Sequence, residues 1–152
     1  MSVAARLQEL GIGLPEVAAP VAAYVPAVVH GGLVYTSGQL PFASGALPAT
    51  GKVGAEVTAE DAAVHARTCA LNALAAAAAA VGGLERIAGV LRVGGFVASA
   101  PSFTAQPAVI NGASEVLGEI FGDAGRHARA AVGVASLPLD SPVEVEVTFI
   151  LA

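Results

Sequence analysis

Apolar and polar positions change period several times along this chain, and each change marks an element. From Val143 to Leu151 the alternation is clearest: Val143, Val145, Val147, Phe149 and Leu151 are interleaved with Glu144, Glu146 and Thr148. That is the period of a strand with one core face and one acidic face. Ile87 to Ser99 is mostly apolar with Gly94-Gly95 inside it, which predicts a buried strand carrying a bulge or a close backbone approach. Tyr24 to Val29 and Leu33 to Ser37 are apolar runs joined by His30-Gly31-Gly32, whose glycines supply the positive φ of a tight hairpin. Arg129 to Leu137 reads as a further strand, separated from the last by Pro138-Leu139-Asp140-Ser141-Pro142.

Helical spacing replaces alternation in three places. Thr58-Ala59-Glu60-Asp61 is a capping box in front of an Ala-rich stretch that runs to Gly82-Gly83, predicting a long helix. Val109, Ala113, Val116, Leu117 and Ile120 place a second helix over Gln106 to Phe121. A short amphipathic helix opens the chain, capped by Ser2 and stopped by Gly11, and a lead containing Pro15 and Pro20 follows. Pro41 to Gly54 reads as a loop with a short strand near Lys52-Val53. The order after the first helix is ββ(β)αβαββ, an α+β class with two helices packed on one face of a mixed sheet. Residues 1–152 fit one domain, with 1–20 as N-terminal helix and lead, and no internal repeat.

Composition adds an expectation about assembly. Hydrophobic residues make up 55% of the 152, much of it Ala, and only 12% are charged, leaving little charged surface to keep a lone domain solvated. Burial of part of that surface in an oligomer would account for it. A net charge of −5 and a single lysine, Lys52, offer no basic patch, which disfavours nucleic acid as a partner. The first ten residues lack a signal peptide's apolar core, and the most apolar run, Ala73 to Val81, falls far short of the roughly 20 residues of a membrane span. A single cysteine, Cys69, excludes an intrachain disulfide and fits a packed core thiol, so the expected location is cytoplasmic and no membrane is involved. His30, His65 and His127 are scattered without ligand spacing, so no metal site is expected. The paired glycines lack the strand-to-helix setting of a phosphate loop.

Arg129 is the candidate for chemistry. It opens a strand-like run in which its near neighbours are small or apolar, and an unpaired buried guanidinium costs several kcal/mol. It needs either a carboxylate of the protein or an anionic ligand, and its planar fork suits a carboxylate held by two hydrogen bonds.

Tyr24 ahead of a hairpin, Tyr35-Thr36-Ser37-Gly38-Gln39-Leu40-Pro41 at the end of the second strand, Arg67 with Asn72 in the long helix, and the ending from Arg129-Ala130-Ala131-Val132 through Leu137-Pro138 to Val143-Glu144-Val145-Glu146 together carry a resemblance. The chain after about residue 20 resembles the RidA/YjgF family of reactive-intermediate (imine/enamine) deaminases, also known as endoribonuclease L-PSP or translation inhibitor. The resemblance implies a chorismate mutase-like fold, a ferredoxin-like variant, and a homotrimer with three clefts between subunits. It implies hydrolysis of short 2-imino acids to 2-keto acids and ammonia, with no metal or organic cofactor. By matching position, Arg129 would clamp the carboxylate of a small metabolite and Glu144 would hold or deprotonate the attacking water. Ser37 and Gly38 would offer backbone amides, Tyr24 would close the cleft and Asn111 would add a polar contact. The chain departs from the pattern at Ala131, where deaminating members often carry a cysteine, in its first helix, in the loop Phe42 to Thr50 and in Ala100 to Pro107. It looks like a longer branch, for which a non-catalytic trimer binding small carboxylates is the alternative and RNA cleavage a poorer one.

If the last two strands form a simple hairpin around Asp140, Glu144 faces roughly residue 136 and lies about 23 Å from Arg129. On that assumption the two meet only across a subunit boundary.

Overall fold

The computed structural model describes residues 1–17, 19 and 22–152; Pro20 of the expected lead lies outside them. Helix α1 spans Val3–Glu9, with the Ser2 hydroxyl accepting from the Ala5 amide at 3.1 Å. Gly11 follows at φ 66°. Strands β1 (Ala27–His30) and β2 (Leu33–Thr36) form the hairpin, His30 opposite Leu33, with Gly31 and Gly32 both at positive φ. Pro26, which has no N–H to give a ladder, immediately precedes β1, so Tyr24 and Val25 lie ahead of the strand rather than in it. Val53 makes isolated bridges to Val57 and Ser99 in place of the expected short strand.

Helix α2 is Ala59–Val81. Thr58 Oγ1 accepts from the Asp61 amide at 3.1 Å, but among the described residues Asp61 does not return the bond, its side chain being one methylene shorter than the Glu of a full box. Gly82, left-handed at φ 85°, ends the helix. On length and composition α2 could cross a membrane, although the apolar run read from the sequence was shorter; half of its most apolar window is buried within the fold. Its core face is nearly all alanine: Ala62, Ala66, Ala70, Ala73 and Ala77 are fully buried. Such small side chains let α3 (Gln106–Phe121) approach closely, to the point that a Cβ on Gly112 would overlap the Ala63 carbonyl oxygen.

Strands β3 (Ile87–Ala98), β4 (Ala128–Val134) and β5 (Val143–Leu151) complete a sheet of order β1-β2-β5-β3-β4. Register shifts fall between Ile87 and Gly89 and between Val90 and Arg92, not at Gly94-Gly95. At Gly95 the reason is close approach: a Cβ would lie 2.5 Å from Ile110 of α3.

The expected hairpin of the last two strands does not form. β4 runs parallel to β3, with Arg129 opposite Val93, while β5 is antiparallel to β3 on its other side, with Glu144 opposite Phe96. A parallel neighbour requires a crossover, and α3 supplies it. β5, whose Val143, Val145, Val147 and Phe149 are fully or nearly fully buried while Leu151 at its end is only partly so, takes a central place where both of its edges are paired. The two helices α2 and α3 cover one face, over Val93, Val97, Val143, Val145, Val147 and Phe149. Among the described residues the other face carries no helix.

Candidate functional site

The residues singled out from the sequence fall into two groups on opposite faces of the sheet. Arg129 shares the inner row with Val93 and reaches under α3. Its Nη1 donates to Asn111 Oδ1 at 2.9 Å and to Ser114 Oγ at 3.1 Å, and its Nη2 donates to the Pro107 carbonyl at 3.3 Å. All three acceptors are neutral, and among the described residues no carboxylate forms an ion pair with Arg129. A guanidinium has five N–H donors; those on Nε and one on Nη2 are left for something else. Asn111, expected as a substrate contact, spends its side-chain oxygen on holding the arginine.

Glu144 lies in the outer row opposite Phe96. From the register, three residues along and two strands across, its Cα is about 14 Å from that of Arg129, nearer than the hairpin assumption implied. Their side chains leave the sheet in opposite directions, so they do not meet within one chain.

Around Glu144 the structure gathers Gly38 and, next to it, Ser37. Gly38 seats the carboxylate: a Cβ there would lie 2.8 Å from Glu144 Cδ and nearer still to Oε1. Ser37 is already engaged. Its hydroxyl donates to the Val25 carbonyl at 2.6 Å and its amide to the Pro26 carbonyl at 2.8 Å, which fixes the segment that carries Tyr24 but leaves no Ser37 donor for a ligand. The Gly38 amide has no partner among the described residues. Tyr24 is 45% exposed, beside the carbonyl that Ser37 holds.

Burial, and secondarily the neighbouring Glu146, push the Glu144 carboxyl above its usual range. Glu146 itself faces Arg92 across the strands at 3.5 Å. Burial likewise pushes the Cys69 thiol well up, and Cys69 sits inside the core. Among the described residues no three His, Cys, Asp or Glu side chains converge as metal ligands.

Sequence reading missed Ser114, His127 and the Pro107 carbonyl. Ser114 follows Asn111 by three on α3 and therefore shares its face. His127 precedes Arg129 by two, the spacing that returns to one face of a strand. Both signals were present, but only the position of α3 over β4 makes them meaningful. Asn72, noted with Arg67, serves the fold: its amide donates to the Leu40 and Phe42 carbonyls at 2.9 and 3.2 Å, tying the loop after β2 to α2. Arg67 pairs with Glu119 at 3.2 Å.

Residues 4–150 match the family model described as "YjgF/chorismate mutase-like, putative endoribonuclease". Protein TCP17 of Trypanosoma cruzi is 47% identical over 145 residues, 95% of this chain and 91% of that protein. Among solved structures, one described as a "putative endoribonuclease" from Shewanella oneidensis superposes with a TM-score of 0.95 at 36% identity, covering 99% of this chain and 100% of the other. A protein of unknown function from Agrobacterium tumefaciens gives a TM-score of 0.90 at 46% identity, covering 99% and 92%.

Proposed function

The chain belongs to the YjgF/chorismate mutase-like family of RidA-like proteins, and on that basis we propose that it hydrolyses small 2-imino or enamino acids to 2-keto acids and ammonia in clefts between the subunits of a homotrimer. The observation that carries this reading is the unpaired guanidinium of Arg129, anchored by three neutral acceptors with two donors to spare. A scaffolded cation with no carboxylate of its own suits an exogenous one.

The helix-free face of the sheet supports assembly. It presents Val28, Tyr35, Val132 and Ile150, each more than a third exposed, an apolar surface of the kind that copies of a chain cover. Arg129 and Glu144 leave opposite faces, so a cleft holding both takes Arg129 from one copy and Glu144 from another.

In such a cleft Arg129 binds the substrate carboxylate and turns the imine carbon toward a water, the orientation part of catalysis. Glu144, ionised, removes a proton from that water as its oxygen bonds to the carbon. The proton passes to nitrogen, giving a carbinolamine. Glu144 then takes the hydroxyl proton and delivers it to the nitrogen as the C–N bond breaks, so the keto acid and ammonia leave and the carboxylate is again ionised. Tyr24 closes the cleft, and the Gly38 amide, without a partner among the described residues, binds a substrate oxygen.

The test is keto-acid release from an imine generated in place by an amino-acid oxidase. Wild type should accelerate it, and Arg129→Ala should lose about 100-fold or more in kcat/KM. Equal rates for the two proteins would end the reading. Tight binding of a 2-keto acid by calorimetry with no turnover would replace it with the carboxylate-binding trimer.

A further inference from the structure

Arg129 is held by a chain of bonds that extends past it. Ser114 Oγ, which accepts from Arg129 Nη1 at 3.1 Å, lies 2.9 Å from His127 Nε2, and His127 Nδ1 lies 2.6 Å from the Gly125 carbonyl. The roles along this chain are determined by chemistry. A carbonyl only accepts, so Nδ1 carries the hydrogen and donates to Gly125. In the neutral ring that leaves a lone pair on Nε2. Ser114 must then donate its hydroxyl hydrogen to Nε2, which turns an oxygen lone pair toward the arginine. Every donor meets an acceptor.

We infer that His127 is a positioning residue for Arg129: its Nδ1–H tautomer orients the Ser114 hydroxyl, which commits Nη1 to the scaffold and leaves the Nε and Nη2 donors for the ligand carboxylate. The inference deepens the proposed function and rests on it for the identity of that ligand, but the relay itself is a property of the protein alone. Gly125 is an integral part of it. The residue is buried, and a Cβ there would lie 2.6 Å from the Leu117 carbonyl oxygen, so the short turn that presents the Gly125 carbonyl is packed directly on α3. The opposite tautomer would aim two N–H donors, from Nε2 and from Arg129, at one hydroxyl oxygen and set the Nδ1 lone pair against a carbonyl.

The experiment uses the intact protein in two readouts. Long-range 1H–15N correlation at about pH 8.5, where an imidazole is ordinarily neutral, should show His127 protonated on Nδ1 with a lone pair on Nε2. The Arg129 side-chain resonances should shift in Ser114→Ala and in His127→Asn, whose amide reaches Gly125 but not Ser114. They should return in His127→Gln, whose amide oxygen can take the place of Nε2. An Nε2–H tautomer, or Arg129 resonances indifferent to His127→Asn, would overturn the relay.

In the keto-acid assay, His127→Asn and Ser114→Ala should each raise KM about tenfold with kcat nearly unchanged, and the double variant should add nothing further. His127→Gln should restore KM, whereas equal KM values for the Gln and Asn variants would count against positioning. If wild type neither turns over imines nor binds a 2-keto acid while the spectra behave as expected, the functional reading fails and the relay stands.

Discussion

Arg129 and Glu144 solve opposite problems with opposite surroundings. The arginine rests on neutral acceptors, whereas the glutamate is pushed toward its neutral form by burial and by Glu146. Two consequences follow for pH. A general base must be ionised, so kcat/KM should fall on the acid side through a value above the ordinary 4.5 of a glutamate, and Glu144→Gln should abolish turnover while leaving binding of a 2-keto acid largely intact. An acid limb centred at or below 4.5 would exclude Glu144 as the base. For stability the folded chain binds the Glu144 proton more tightly than the unfolded chain does. The contribution is therefore fully present below the unfolded value and lost as pH rises through the folded one. Urea midpoints of Glu144→Gln should accordingly gain on wild type from acid to neutral pH, a trend that a constant difference would refute.

At the scale of elements, α2 and α3 are held at a distance that alanine and glycine permit and larger residues would not. Gly112→Ala drives a methyl into the Ala63 carbonyl oxygen and should cost about 3 kcal/mol, measured by chemical denaturation. Gly118→Ala on the same helix meets nothing within 4 Å and should be neutral or stabilising by up to about 1 kcal/mol. Similar gains for both would mean that helix propensity, not the crossing, sets stability. The helices were legible in the sequence because their signals are local: Ser2 marks the start of α1, Thr58 and Gly82 the ends of α2, and apolar spacing the run of α3, while the alternation through β5 marks a strand with one buried face. Strand order was not, because nothing inside Arg129 to Leu137 says that its neighbour lies beyond α3 in sequence. The candidate site was legible in the same uneven way. Arg129 stood out as a charge among small residues, and Glu144 by its place in the family pattern. Ser114 and His127 acquire meaning only when a helix is laid over a strand.

At the scale of the whole molecule, two inactive proteins should be able to repair one another. If a cleft takes Arg129 from one copy and Glu144 from another, co-refolding Arg129→Ala with Glu144→Gln should regenerate clefts carrying both native residues, about one quarter of the total for random mixing in a ring. Keto-acid release should rise accordingly above either protein alone, and a mixture as inactive as its parts would place both groups in a single chain. The position of β5 has a further consequence of a different kind. It joins the β1-β2 hairpin to the β3-β4 pair, yet it is made after both. A nascent chain therefore carries two half-sheets that share no strand pairing until Val143–Leu151 has left the ribosome, and a messenger truncated before that segment encodes one chain whose sheet halves have no strand to join them.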